Sequence, residues 1–291
     1  MSPRFVFPAL VLCGALAAAG CKSVGGLGSS SEEPDVTYAD DAEANMRLGD
    51  EAMEAENFAE AARYYEYVKT KYPFLEAAKT AELRLGDTDF VRDRFVEARD
   101  RYQNFVRLHP THPKVDYAAY RAALTHYKDI PSDLFILPPA SEKDQQEVRA
   151  ALNAMTDFLR TYPDSRYVED AQKVLTEVKT RLAEHEIYVA DFYRRRERWP
   201  AVIGRLTTVA KQYPGTNYDE KVYFGLHEAY SRLKDEKRAK EALRAYLALH
   251  PNDRDARRAR ELLGPDAPPE APAPSSPAAP PSAPEGADAG T

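Results

Sequence analysis

Between Ala42 and Leu263 apolar residues recur three and four positions apart, with Lys, Arg, Glu and Asp filling the intervals. That period belongs to amphipathic helices, and the alternation of strands is missing. The helices punctuate themselves. An aromatic residue or histidine followed by proline occurs at Tyr72-Pro73, His109-Pro110, Tyr162-Pro163, Tyr213-Pro214 and His250-Pro251. Each should close a helix, because a proline steers the residue before it out of the helical region. Twelve residues before these prolines stand Ala61, Ala98, Ala151, Val202 and Ala239; eight before, Tyr65, Tyr102, Met155, Leu206 and Leu243; five before, Val68, Phe105, Phe158, Val209 and Tyr246. Offsets of four and three place each trio on one helix face. Small residues at the first position suit a close helix crossing, and the larger ones behind suit a core.

The spacings between the prolines are 37, 53, 51 and 37 residues. They fit a helix-pair unit of about 34 residues carrying extended loops and one enlarged module. Leu48-Gly49 and Leu85-Gly86 lie 25 and 24 residues before their prolines, where a tetratricopeptide (TPR) first helix carries Leu-Gly, and Leu226 and Tyr230 occupy first-helix places in the fifth repeat. In the third repeat Pro138 and Pro139 fall where a helix should be, so Asp129 to Lys143 reads as an inserted loop. The absence of Gly and Pro from Asp164 to Arg198 predicts a long or kinked helix leading into one over Trp199 to Gln212. The expected fold is all-α, a TPR-like superhelical solenoid of about five helix pairs whose first helices line a concave face suited to gripping a peptide.

The ends alter this picture. Arg4, the apolar run Phe5 to Ala19 and then Gly20-Cys21 read as charged region, hydrophobic region and cleavage site. Ala18-Ala19-Gly20-Cys21 fits a lipobox, with Ala18 in the usual leucine place, so Cys21 is the expected lipidation site. The alternative is an ordinary secretory cut near Ala19 that leaves Cys21 as a free thiol, a liability in an oxidising space. Cys13 lies in the segment to be removed, so no internal disulfide is expected. Lys22, where aspartate would signal inner-membrane retention, favours the periplasmic face of the outer membrane. The expected organisation is a signal peptide over 1–20, a lipid-anchored tether over 21–40, an N-terminal TPR region over 41–130, a C-terminal TPR region with the inserted loop over 131–263, and a disordered Pro/Ala-rich tail over 264–291. Formal net charge is -7, which argues against nucleic acid as a partner.

Signatures of chemistry are missing. His185-Glu186 and His227-Glu228 begin like a zinc-protease motif, but Val189 and Ser231 stand where the second histidine is needed. His109 and His112 flank Pro110 and read as turn residues more readily than metal ligands. Neither a Gly-x-Ser-x-Gly elbow nor a Walker loop is present, and carboxylates interleave with Lys and Arg as on solvated helices. Neither catalysis, a cofactor nor a metal is expected.

Over roughly Ala42 to Leu249 the order of motifs resembles the BamD family, TPR lipoproteins of the complex that inserts β-barrels into the outer membrane. The resemblance rests on Tyr72-Pro73-Phe74, on Pro110-Thr111-His112-Pro113 running into Asp116-Tyr117-Ala118-Ala119-Tyr120, and on Arg181-Leu182-Ala183-Glu184 through Val189-Ala190-Asp191-Phe192-Tyr193 to Trp199-Pro200-Ala201-Val202 and Arg205. It implies a non-enzymatic scaffold that receives unfolded outer-membrane proteins in its N-terminal repeats and docks BamA, through the POTRA domain nearest the membrane, by its C-terminal repeats, alongside other subunits of that complex. By position, Tyr193, Arg196 and Arg205 resemble residues near the BamA contact, and Tyr72 and Phe74 resemble residues of the substrate-binding region. The plainer alternatives are solvated helix charges for the arginines and a structural turn for Tyr72 and Phe74. Two departures stand out: Glu197 where a glycine is usual, and the loop around Phe135 to Pro139, which retains mainly Asp144 of the family pattern. A periplasmic TPR adaptor that coordinates peptidoglycan synthesis with the Tol system is the other reading; that relative normally has a coiled coil and no lipid anchor.

Overall fold

The computed structural model describes residues 36–131 and 145–269. Cys21, the inserted loop with Phe135 to Pro139 and Asp144, and the tail beyond Pro269 lie outside the described residues. Five helix pairs follow one another: α1 (Ala42–Glu54) with α2 (Phe58–Lys71), α3 (Glu76–Val91) with α4 (Phe95–Leu108), α5 (Val115–Lys128) with α6 (Gln146–Thr161), α7 (Val168–Arg194) with α8 (Trp199–Gln212), and α9 (Asp219–Arg232) with α10 (Glu236–Leu249). A short α11 (Ala256–Leu263) packs on α10 after the last pair. Each helix packs chiefly on its neighbours in sequence, as in a repeat protein whose units contact only adjacent units.

The five Tyr-Pro and His-Pro steps behave as their chemistry requires. Tyr72, His109, Tyr162, Tyr213 and His250 each follow the last helical residue, with φ between -131° and -124° and ψ between 50° and 62°. The following proline excludes a helical ψ there, so the second helix of every pair stops at the same register. The fifteen residues counted back from those prolines are all buried, none more than 3 % exposed. Burying one of the larger side chains of the trio contributes about 1.5–3 kcal/mol, so each of the five helices brings at least two substantial core contributions.

Close crossings use the absent side chains. A Cβ at Gly49 would come 2.6 Å from the Tyr65 ring, and one at Gly86 2.8 Å from Tyr102. Leu-Gly recurs there because the tyrosine eight residues before the proline lies flat on the first helix. The enlarged fourth module is one continuous helix. α7 runs 27 residues, about 40 Å at 1.5 Å per residue. Its first half places Ala171 with Met155 and Phe158 in one core cluster, and its second half places Leu182, Ala183, Ile187 and Ala190 with Val202, Leu206 and Val209 in the next.

Four hairpins share a turn that composition does not betray. Glu56, Asp93, Glu197 and Lys234, each 17 residues before its proline, have φ of 59°, 57°, 54° and 60°. The next residue's N–H then returns to the first helix: Asn57 to the Ala52 carbonyl at 2.8 Å, Arg94 to Asp89 at 2.9 Å, Arg198 to Tyr193 at 3.1 Å and Asp235 to Tyr230 at 3.0 Å. This is the left-handed helix-end bond pattern, normally given to glycine.

Candidate functional site

The residues singled out in the sequence fall at two places. Tyr72 and Phe74 share the turn between α2 and α3. Tyr72 is partly buried: its hydroxyl donates to the Asp40 carbonyl at 2.8 Å, and its ring meets Tyr67 edge-on at 6.2 Å. Partial burial, then the neighbouring Tyr67 and the Asp40 and Asp41 carboxylates, raise its pKa. Tyr67 in turn stacks on Tyr38 at 4.0 Å, so the segment before α1 is strapped to α2 by aromatic rings. Phe74 is the opposite case, 98 % exposed with nothing packed on it. Leu75 beside it is 45 % exposed. A wholly solvated phenylalanine stabilises no fold, since it makes none of the contacts that burial supplies.

Tyr193 and Arg196 share the turn that ends α7. The Arg196 N–H donates to the Tyr193 carbonyl at 3.0 Å, and its guanidinium lies 3.6 Å over the Phe192 ring. That ring meets Tyr193 edge-on at 5.4 Å. The result is an exposed strip of guanidinium, phenyl and phenol at one helix end, the rigid amphipathic type common at protein interfaces. Tyr193 is also partly buried against the large C-terminal core. Arg205 is elsewhere, on α8. It donates to the carboxylate of Glu186 at 3.0 Å, and that carboxylate belongs to a residue only 4 % exposed. The Arg205 head is itself 42 % exposed, so it covers a buried acid and still presents N–H groups outward.

The histidine motifs have structural partners. His109 bonds Glu82 at 3.0 Å, and His112 bonds Glu76. Glu228 faces Arg194 at 3.4 Å, and His227 meets the Ala239 carbonyl at 3.3 Å. Among the described residues no group of three His, Cys, Asp or Glu could hold a metal ion, and no helix is long and apolar enough to cross a membrane.

Counting positions for the apolar face alone misses a polar ladder. The Tyr65 hydroxyl donates to Asp50 at 2.7 Å, and Asp50 meets Arg84 of the next first helix at 3.1 Å. One repeat on, Tyr102 donates to Asp87 at 2.6 Å; Tyr117 also donates to Asp87, and Arg121 approaches it at 3.7 Å while lying 3.8 Å over Phe90. The available signal was the residue after each glycine: the sequence reads Leu48-Gly49-Asp50 and Leu85-Gly86-Asp87, and each arginine follows its aspartate by 34 residues.

A model of the family YfiO, outer membrane lipoprotein, matches residues 38–247, from just before α1 to near the end of α10. Among curated proteins, the outer membrane protein assembly factor BamD of Vibrio cholerae is 34% identical over 185 residues, covering 62% of this chain and 76% of that one. BamD of Caulobacter vibrioides is 26% identical, covering 77% and 70%. BamD of Neisseria gonorrhoeae is also 26% identical, covering 71% and 78%. With the family model spanning all five helix pairs, the chain belongs to the YfiO/BamD family of outer membrane lipoproteins.

Proposed function

We propose that this chain is a non-enzymatic scaffold in outer membrane protein assembly, lipid-anchored through Cys21 on the periplasmic face of the outer membrane. It holds unfolded barrel proteins at its N-terminal repeats and docks BamA at its C-terminal repeats, within the complex that contains the other subunits. The observation that carries this reading is the family match across residues 38–247, whose curated relatives are named as assembly factors. The geometry supports the division of labour. Phe74, free of any internal contact, suits an extended apolar substrate segment, with the strapped Tyr72 as its rigid neighbour. Tyr193 and Arg196 offer an aromatic and cationic strip, and Arg205 offers a planar fork that a partner carboxylate can pair bidentately.

Arg205 is a poor place to test docking by charge reversal, because a glutamate there would face buried Glu186 and damage the fold. Arg196→Glu is the cleaner variant: its guanidinium has no carboxylate partner among the described residues. The variant should keep its melting temperature and recover several-fold less BamA from detergent-solubilised membranes. Phe74→Ala should leave stability within about 0.5 kcal/mol, as surface substitutions do, while photo-crosslinking of unfolded barrel protein to the N-terminal repeats falls. Recovery of Tol components in place of BamA, or failure of labelled palmitate to enter the protein, overturns the reading.

A further inference from the structure

A cavity of about 570 Å³ is walled by the end of α7, the face of α9 and α11. Four of its lining residues are cationic, Arg194, Lys221, Arg232 and Arg258, against the acids Glu220 and Glu228. Arg194 is held by Asp191 at 2.6 Å and faces Glu228 at 3.4 Å; Lys221 reaches Asp191 at 3.1 Å; Arg258 stands 3.5 Å from Glu220 and 4.5 Å over Phe224. Arg232 lies 5.5 Å over the Trp199 ring and meets no carboxylate at ion-pair distance among the described residues. Lys221 and Arg258 are 46% and 60% exposed, so their charge is only partly spent inside the protein. Phe224 and Leu262 supply an apolar floor.

We propose that this cavity is a docking site for the chain's own acidic carboxy-terminal stretch around Glu285 and Asp288. Residues 264–291 contain Asp266, Glu270, Glu285 and Asp288 and no lysine or arginine, which is the complementary charge. The start of that segment is held against α10 and against the cluster that contains Phe224, a residue of the cavity lining. Lys240 binds Asp266 at 2.6 Å, and Ala267 packs on that cluster. From Pro269, the last described residue, sixteen residues lead to Glu285; at about 3.1 Å per residue for a proline-rich chain they span far more than the cavity's width. A tethered segment meets its site at an effective concentration of order millimolar, so a weak ionic contact suffices to fill it.

The test is zero-length carbodiimide coupling on the full chain, with the joined peptides identified by mass spectrometry. The Lys221 amine should couple to Glu285 or Asp288 in monomeric protein, in preference to coupling by Lys234, Lys237 or Lys240. Raised salt should suppress the product several-fold, because partly exposed ion pairs are screened. The double variant R232E/R258E, which keeps Lys221, should do the same. If that variant melts early, R232Q alone carries the test. Coupling spread evenly over the lysines, coupling unchanged by both the variants and salt, or coupling confined to a dimer band would each overturn the proposal. So would Lys221 joined to another protein while Glu285 and Asp288 stay unlinked. None of these readouts depends on BamA or on barrel substrates, so failure here is distinguishable from failure of the scaffold reading.

Discussion

The first two repeats and the last two build the same helix pair from different chemistry. In the first two, the residue eight before the proline is tyrosine, and its ring rests on a glycine while its hydroxyl is bound by the aspartate that follows. In the last two that residue is leucine, and Leu206 and Leu243 sit in apolar clusters with no polar atom to satisfy. The difference teaches where inter-repeat order comes from. A tyrosine obliges the fold to provide an acceptor, and the aspartate that accepts from it meets a cation of the next repeat, half-exposed Asp50 with Arg84 and buried Asp87 with Arg121, so neighbouring first helices are fixed against each other. Leucine imposes no such sequence of demands. There the polar ties between first helices lie outside the core, Arg194 of α7 with Glu228 of α9 at 3.4 Å and Lys221 of α9 with Asp191 of α7 at 3.1 Å.

The sharpest way to break the comparison is Asp87→Ala. It strips the partner from Tyr102, Tyr117 and Arg121, the last held under Phe90. Breaking a buried charged network by removing one member costs about 3–5 kcal/mol, read as a fall in the urea midpoint. Leu206→Ala at the equivalent place in the fourth repeat should cost about 2–5 kcal/mol through its cavity. The two losses should add in the double variant if the stack unfolds as one cooperative unit, since the two sites share no partner. A deficit well short of the sum would show that the stack unfolds by parts.

A smaller effect separates the chemistries by pH. Burial, first of all, pushes the Tyr65, Tyr102 and Tyr117 hydroxyls well above the usual phenol range, with Asp50 or Asp87 adding to it. The folded chain therefore keeps protons that the unfolded chain loses, so this stability is full below the ordinary tyrosine pKa of about 10 and declines as pH rises beyond it. Tyr102→Phe should cost about 1–3 kcal/mol at neutral pH by leaving Asp87 short of a donor. It should also flatten the alkaline fall, as measured by urea titrations across the alkaline range. An unchanged slope would mean that Tyr102 ionises as freely in the fold as outside it.

The apolar half of this architecture is legible from local sequence, whereas the polar half shows only as a spacing of one repeat, for a reason that lies in the residues. Proline fixes a helix end by local sterics, and Ala61, Tyr65 and Val68 share a face by helical geometry, so counting from Pro73 finds them. Asp50 and Arg84 meet only because one repeat stacks on the next, and nothing local to either residue announces the pair. The candidate sites divide similarly. Resemblance pointed to Tyr72 and Phe74 together, but only the structure distinguishes a strapped tyrosine from a free phenylalanine. It likewise separates Arg205, tied to buried Glu186, from Arg196, stacked on Phe192.

The least of the expected effects is a gain. Glu197 has a φ of 54°, and a side chain in that region crowds the following carbonyl. A glycine there removes a backbone strain of about 1–2 kcal/mol and adds unfolded-state freedom worth about 0.4–1 kcal/mol. Glu197→Gly should therefore raise stability by at most about 1.6 kcal/mol, seen as a small rise in urea midpoint. The same exchange at Glu56, Asp93 or Lys234, whose φ lies within a few degrees of this one, should give a gain of the same size. The turn depends on backbone conformation, which both halves share, and not on the core chemistry that divides them. Unequal gains between Glu56 and Glu197 would place the division in the turns as well.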